Sequence, residues 1–109
     1  MSLRAGRLRH RVTIETPVRA SDGAGGARQE WAPVGDAWAA VEPVAARTLD
    51  EAGGERMATT HRVIIRHRPG VTIAQRIRFG ARILRIDSVS NHDEVGEYLD
   101  LRCEEVVGR

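Results

Sequence analysis

The stretch Ile77-Arg78-Phe79-Gly80-Ala81-Arg82-Ile83-Leu84-Arg85-Ile86 contains a complete β-hairpin pattern. Apolar residues alternate with polar or small ones across residues 73–79, as in a strand that has one buried face. Gly80-Ala81 separates two such runs, which is typical of a two-residue hairpin turn. In residues 82–90 the apolar spacing slips by one position, and this slip predicts a β-bulge.

Two further runs in the C-terminal half have the same strand pattern. Residues 60–68 predict a strand with Val63 and Ile65 on one face. Pro69-Gly70 follows as a turn signal. Residues 97–107 predict the last strand, and its apolar face carries Leu99, Leu101 and Cys103.

The N-terminal half predicts two more strands. Residues 8–16 alternate, and Pro17 is expected to end this strand. Val34-Gly35-Asp36 has the composition of a turn, and residues 38–42 predict a second strand that stops at Pro43. The predicted apolar face of the first strand consists of Leu8, His10, Val12, Ile14 and Thr16.

Two connecting segments have different compositions. Residues 17–29 are rich in glycine and small polar residues, which predicts a flexible loop. Residues 44–56 contain helix-favouring Ala, Leu, Glu and Arg, which predicts one short helix. Thr48 with Glu51 fits a capping box, and Gly53-Gly54 ends the helix before a mobile stretch.

The predicted fold is mainly β. We expect a small antiparallel β-barrel or sandwich of about six strands, with one short helix and long mobile loops. The 109 residues correspond to one domain, residues 1–109. No apolar run approaches the length of about 20 residues that a membrane-spanning helix needs, and residues 1–6 show no signal-peptide pattern.

The positive charge of the chain comes entirely from arginine. The sequence has 17 Arg, no Lys and 15 acidic residues, which leaves a net charge of +2. Such a small excess does not indicate a nucleic-acid-binding protein by bulk charge. The exclusive use of arginine fits two compatible interpretations, a GC-rich coding sequence and selection for the two-pronged guanidinium at interfaces or phosphates.

The sequence offers no arrangement that predicts catalysis or cofactor binding. Without lysine the G-x-x-x-x-G-K-[ST] phosphate-binding loop is not possible, and the glycines of residues 23–26 do not form a dinucleotide motif. The single Cys103 excludes an intrachain disulfide and is interpreted as a small buried apolar residue. We therefore expect no enzyme and no cofactor. The histidines, interpreted as structural or exposed, are His10, His61, His67 and His92.

The arginines fall in rows on predicted strand faces. Such rows fit two interpretations: the solvated face of an antiparallel sheet, or a basic surface that meets an acidic protein partner or a DNA backbone. A further pair, Arg76 and Arg78, lies on the strand before the central hairpin. The candidates for a ring or partner interface are Arg7, Arg9, Arg11, Arg62, Arg66 and Arg68.

An ordered series of short motifs resembles the phage head–tail joining family, the small head-completion or stopper proteins of long-tailed phages. Each motif alone has low specificity, but their order covers nearly the whole chain. The composition also fits a gene transfer agent of a GC-rich bacterium. The motifs are Gly6-Arg7-Leu8-Arg9-His10-Arg11-Val12-Thr13-Ile14, Ala37-Trp38-Ala39-Ala40-Val41-Glu42-Pro43, Val63-Ile64-Ile65-Arg66-His67-Arg68, Ile77-Arg78-Phe79-Gly80, Ile83-Leu84-Arg85-Ile86 and Leu99-Asp100-Leu101-Arg102-Cys103-Glu104-Glu105.

This resemblance implies a structural protein of the particle neck, made in the bacterial host cytoplasm. It implies a homo-oligomeric ring of six or twelve copies, with a portal or adaptor protein above and a tail terminator or tail tube protein below. Packaged DNA would lie near the channel, and no membrane is involved. The resemblance also implies a mobile segment that orders on assembly, for which residues 18–29 and 44–60 are candidates. The channel-loop candidates are Arg47, Glu51 and Arg56.

Other functions remain open at the level of sequence. A small β-barrel that binds nucleic acid is the main alternative, and a small enzyme or regulatory domain is another. Adaptor and tail-terminator roles are further possibilities within the neck itself.

Overall fold

Six antiparallel strands close into a barrel in the order β1-β2-β5-β8-β7-β6. The computed structural model describes residues 7–44, 47–49, 55–57, 60–92 and 96–106, with backbone only for 47–49 and 55–57. This architecture confirms the predicted small antiparallel β-barrel. The strands are β1 (His10–Ser21), β2 (Ala27–Pro43), β3 (Arg47–Leu49), β4 (Glu55–Met57), β5 (His61–Arg66), β6 (Arg76–Phe79), β7 (Arg82–Asn91) and β8 (Tyr98–Val106).

Aliphatic side chains from all six barrel strands fill the interior. They alternate with outward-facing residues along each strand, as the period of two requires. Val63 and Ile65 are fully buried, and so are Leu101 and Cys103 on β8, which confirms the predicted apolar faces. The interior cluster comprises Val12, Ile14, Ala39, Val63, Ile65, Ile77, Leu84, Ile86, Leu99, Leu101 and Cys103.

The central hairpin is present as the sequence predicts. Phe79 pairs with Arg82 across the two-residue turn, and Gly80 adopts φ +62° there. The register of β7 against β8 shifts between Ile86 and Ser88, which confirms the predicted bulge. The strand before the turn is shorter than predicted, because β6 begins at Arg76.

The first hairpin is longer than the sequence predicts. Pro17 does not end β1 but pairs with Trp31 inside a strand that continues to Ser21. The predicted turn at Val34-Gly35-Asp36 is instead a bulge within β2, where Ile14 pairs with Gly35 and Glu15 with Pro33. Proline is tolerated here because both strands have an open edge beyond the barrel, where no ladder hydrogen bond is lost.

The predicted helix over 44–56 is wrong for the residues that the structure describes. Residues 47–49 and 55–57 pair as a two-stranded antiparallel sheet, with Thr48 opposite Arg56. Local helix propensity is a weak preference that such pairing overrides. Glu51 and Gly53-Gly54 lie outside the described residues.

A second apolar cluster covers part of the outside of the barrel. Leu8 precedes β1 and packs with Ala40, Ile64 and Tyr98, all of which are buried. The alternation predicts Leu8 on the same face as Val12, but the structure places Leu8 outside the barrel interior that holds Val12. This contact ties the N-terminal segment across strands β2, β5 and β8.

Candidate functional site

Beyond the barrel, β1 and β2 continue as a two-stranded ribbon, which we call the arm (residues 16–32). Thr16 pairs with Ala32 and Ser21 with Ala27 at its two ends. The pairing of β1 with β6 stops at Glu15, so the arm has no other strand beside it among the described residues. At strand rise its six pairs extend roughly 20 Å. The predicted flexible loop 17–29 is therefore mostly strand.

The tip of the arm is a short ordered turn. Asp22 accepts hydrogen bonds from the amides of Ala24 at 2.8 Å and Gly26 at 3.0 Å. These backbone bonds hold the pKa of the exposed Asp22 carboxyl below its ordinary value. Gly23 and Gly25 have φ values of +80° and +88°, which favour glycine over other residues.

A buried carboxylate fixes the root of the arm to the barrel. Nε of Arg76 donates to Glu15 at 2.7 Å, and Nη2 of Arg78 donates to it at 2.8 Å. The guanidinium of Arg76 also lies over the Trp31 ring, 4.2 Å from its centroid. Arg76 and Arg78 are therefore committed to an internal cluster and do not form a free basic row.

The ionisation of Glu15 reflects two opposing effects. Burial favours the neutral acid and raises the pKa, whereas the hydrogen bonds and charges of Arg76 and Arg78 lower it. The net result is a pKa below the ordinary value, so Glu15 is ionised at neutral pH.

Two of the predicted interface arginines meet at one glutamate. Arg7 forms an ion pair with Glu42, and Nη1 of Arg62 lies 4.0 Å from the other oxygen of that carboxylate. Arg62 also pairs with the buried Asp100 at 2.8 Å. Arg7 and Arg62 thus meet at Glu42 on β2. Arg62 also links β2 to Asp100 of β8 on the outer face of the barrel.

Three other predicted residues surround an exposed tryptophan. Trp38 is 53% exposed, and the Arg11 guanidinium lies 5.2 Å from its ring centroid. Arg66 and Arg68 line a depression together with Trp38, along the segment where β2 runs past the end of β5. We call this depression of about 260 Å³ the Trp38 cleft, and its lining residues are Asp36, Ala37, Trp38, Arg66, His67 and Arg68.

Arg9 lies beside the group at Glu42 but forms no ion pair within the described part of the chain. It borders a shallow depression beside Arg7 and Glu42 and is exposed. The six predicted interface arginines therefore do not form two continuous rows. They divide into a paired group at Glu42 and a group at the Trp38 cleft, with Arg9 between them in sequence.

The channel-loop candidates are only partly described. Arg47 and Arg56 lie in β3 and β4, where Arg47 pairs with Met57 and Arg56 with Thr48. Glu51 is outside the described residues.

The histidines and the cysteine have structural environments. His61 is buried and contacts Thr60 and Arg82, while His10 packs edge-on against Phe79. Burial, with smaller effects of Asp87 and Asp100, raises the pKa of the Cys103 thiol to about 12. Within the described part of the chain, no group of His, Cys, Asp or Glu is arranged to hold a metal ion. No helix there is long and apolar enough to cross a membrane.

Sequence reasoning missed the role of Trp38 and the continuity of the arm. Trp38 alternates with Ala37 and Ala39, which face inward, so its outward position was readable from the period of two. Nothing in the alternation could show that Arg66 and Arg68 would have no carboxylate partner among the described residues.

The described chain is thus a small closed barrel with a projecting ribbon, a mainly β structural domain without a metal-binding group among the described residues. The family model of the phage head completion protein matches residues 3–106. The chain therefore belongs to the phage head completion protein family, a family of structural phage proteins, and it has a structural role at the head–tail region of a phage or phage-like particle.

Solved structures are similar over nearly the whole chain. A chain from the virion of a native gene transfer agent particle is 32% identical, with a TM-score of 0.63, 90% of this chain covered and 94% of that chain. A protein of Shigella flexneri 2a, solved in solution, is 26% identical, with a TM-score of 0.72 and coverages of 98% and 100%. A comparison with curated proteins finds no match.

Proposed function

We propose that this protein forms a ring in the particle neck, between the portal–adaptor complex and the tail, where it closes the DNA-filled head and docks the tail. The observation that carries this proposal is the family match over residues 3–106, together with similarity to a chain of a gene transfer agent virion. In this role the protein acts as a single structural domain without catalysis or cofactor.

The shape of the molecule supports ring formation. Closed rings use heterologous contacts, in which one face of each copy meets a different face of the next. A two-stranded ribbon has marginal stability by itself, and its open edges are suited to pairing or packing with another chain. The arm therefore provides an element by which each copy reaches its neighbour in a ring of six or twelve.

The two ends of the ring would bind different partners. A portal or adaptor protein would lie above it and a tail terminator or tail tube protein below it. Arginine is enriched at protein interfaces, where its planar fork binds carboxylates, and the Trp38 cleft and Arg9 are exposed for such contacts.

The segment that contains β3 and β4 is our candidate for the channel. It is a separate two-stranded sheet and not part of the barrel wall, so it can approach the ring axis without opening the barrel. Arg47, Glu51 and Arg56 would then lie near the packaged DNA. The protein would be made in the cytoplasm of the bacterial host before it joins the particle.

Charge reversal at the N-terminal arginines tests this role. The triple variant Arg7→Glu, Arg9→Glu and Arg11→Glu should lower the yield of complete particles strongly while the isolated chain keeps its far-UV circular dichroism. Arg85→Glu is the matched control, since Arg85 is as exposed as Arg7 and Arg11 and, like them, pairs with a carboxylate, Glu104 at 2.7 Å, but lies on β7. A normal yield of complete particles from the triple variant would contradict the proposal that these residues contact neighbouring proteins in the particle.

A further inference from the structure

We propose that the Trp38 cleft binds an acidic segment of a neighbouring protein, which inserts carboxylate side chains between Arg66 and Arg68 beside the Trp38 ring. The inference rests on the proposed function in one respect, namely that the neighbour is another protein of the particle. The cleft itself is argued from its own geometry and charge.

The backbone around the cleft is open. The pairing of β2 with β5 begins only at Ala39, opposite Ile65, so β2 has an unpaired edge at Asp36–Trp38. The Trp38 side chain stands on the outer face of this edge and is 53% exposed. A large exposed ring beside arginines is the composition of interface residues that contribute most to binding.

The single acidic side chain that lines the cleft is already occupied. Asp36 accepts a hydrogen bond from the hydroxyl of Thr13 at 2.8 Å and lies 3.6 Å from Nη2 of Arg11. Arg68 donates to the backbone carbonyl of Asp36 at 3.3 Å, and its guanidinium lies against Gly35. The carboxylate of Asp36 therefore does not neutralise Arg68.

Arg66 and Arg68 differ in this respect from most arginines of the barrel. Arg66 lies over the Tyr98 ring, 5.7 Å from its centroid, and neither Arg66 nor Arg68 forms an ion pair within the described ranges. Seven other arginines of the barrel strands each pair with a carboxylate: Arg11, Arg62, Arg76, Arg78, Arg82, Arg85 and Arg102. The cleft therefore carries two positive charges that have no ion-pair partner among the described residues.

The arrangement favours a carboxylate-bearing protein segment over nucleic acid. A nucleic-acid strand is bound by a basic groove that follows several phosphates. Here the neighbouring Arg7 and Arg62 are paired with Glu42, which interrupts the basic surface after a short distance. Two arginines and one ring form a local site, which suits a short acidic stretch with an apolar contact.

The test uses the isolated full-length chain and Trp38 fluorescence. The chain has two tryptophans, so Trp31→Phe leaves Trp38 as the only reporter. The probes are a peptide of alternating glutamate and glycine, the same peptide with glutamine for glutamate, and an oligothymidylate of the same net charge. Each is titrated at low salt, and circular dichroism checks that every variant is folded.

We expect a saturable change of Trp38 emission with the glutamate peptide. The double variant Arg66→Gln and Arg68→Gln should weaken this binding by at least about tenfold, because it removes two charged donors. The matched control Arg85→Gln should bind as the parent does. Equal binding of the glutamine peptide, an unaffected double variant or an absence of saturable binding would each overturn the proposal.

Tighter binding of oligothymidylate than of the glutamate peptide would also overturn the proposal and assign the cleft to nucleic acid. These outcomes do not depend on the particle. An absence of peptide binding would overturn the cleft proposal but not the neck role, which has its own test. Peptide binding by a protein that is absent from the neck would overturn only the inference that the partner is a particle protein.

Discussion

Glu15 of β1 and Arg76 of β6 form an ion pair in which Nε of Arg76 donates at 2.7 Å to a carboxylate that is 2% exposed. The pair lies at the short seam where only three residues of β1 pair with β6 to close the barrel. Since Arg76 also lies over Trp31, this pair connects the closure of the barrel to the root of the arm. A stable barrel and a correctly directed arm therefore depend on the same contact.

The first prediction concerns this seam. Glu15→Gln removes the charge that holds Arg76 and Arg78 but keeps the shape of the side chain. We expect the free energy of unfolding to fall by about 1–3 kcal/mol, the usual effect of losing charged hydrogen bonds at a buried group. Urea denaturation measures this loss.

The control for this variant is Glu30→Gln. Glu30 pairs with Arg28 at 2.7 Å on the exposed arm, so its loss should change the stability by less than about 0.5 kcal/mol. Equal effects of the two variants would show that the Glu15 cluster does not hold the seam.

The second prediction is the pH dependence of this contribution. The pKa of Glu15 is lower in the folded chain than its ordinary value of 4.5. A carboxyl with a lowered pKa stabilises the fold above its unfolded pKa, and this contribution is lost as the pH falls through the folded value. The urea midpoint should decrease less between pH 7 and acidic pH in Glu15→Gln than in the parent protein. Parallel pH profiles would contradict the assignment.

The third prediction concerns the reactivity of Cys103. Its thiol is fully buried and has a pKa of about 12, so the thiolate that reacts with alkylating agents is scarce at pH 8. Iodoacetamide should leave Cys103 unmodified in the native chain and modify it completely in urea, as measured by mass spectrometry. Rapid modification of the native chain would contradict the position of Cys103 in the barrel interior.

The fourth prediction separates the arm from the barrel. Replacing residues 18–30 by Asn-Gly keeps Pro17 and Trp31 and closes the hairpin with a two-residue turn. The barrel should remain folded, with its free energy of unfolding changed by no more than about 1 kcal/mol, since the deleted residues pair only with each other and not with another described strand. Incorporation into particles should fall sharply.

Circular dichroism and thermal melting measure the stability of this variant, and immunoblotting of purified particles measures its incorporation. Substitution of Arg19 by Gln alone, which leaves the arm in place, is the control. Full incorporation of the shortened chain would show that the arm is not a contact between copies.

The barrel strands were predictable because their side chains keep a period of two. The bulge in β7 was predictable as well, because Leu84 and Ile86 lie on the inner face and Val89 on the same face only after a shift of one residue. The pairs that closed the barrel were not predictable, since the contact of Glu15 with Arg76 joins residues far apart in the sequence.

The errors have local physical causes. Pro17 was expected to end a strand, but an open edge tolerates a residue without an amide hydrogen. The sequence predicts a turn at Gly35, but Gly35 pairs with Ile14 inside β2, next to the bulge at Val34. For residues 44–56 the helix prediction rests on local propensity. It gives too little weight to Gly53-Gly54, since glycines between two short strands are also a hairpin signal.

The Trp38 cleft shows how far the candidate site could be predicted from the sequence. Sequence placed Arg11, Arg66 and Arg68 on strand faces, and the structure brings all three near one ring. Their grouping depends on how far β2 extends past β5, which is a property of register and not of local composition.

The most direct test of the central claim is imaging of particles assembled with this protein by electron cryomicroscopy of the neck. We predict density for the six-stranded barrel repeated around the axis between the portal–adaptor complex and the tail, with the arm of each copy against its neighbour. Particles with a complete neck that lacks this density, or with the protein located elsewhere, would contradict the account.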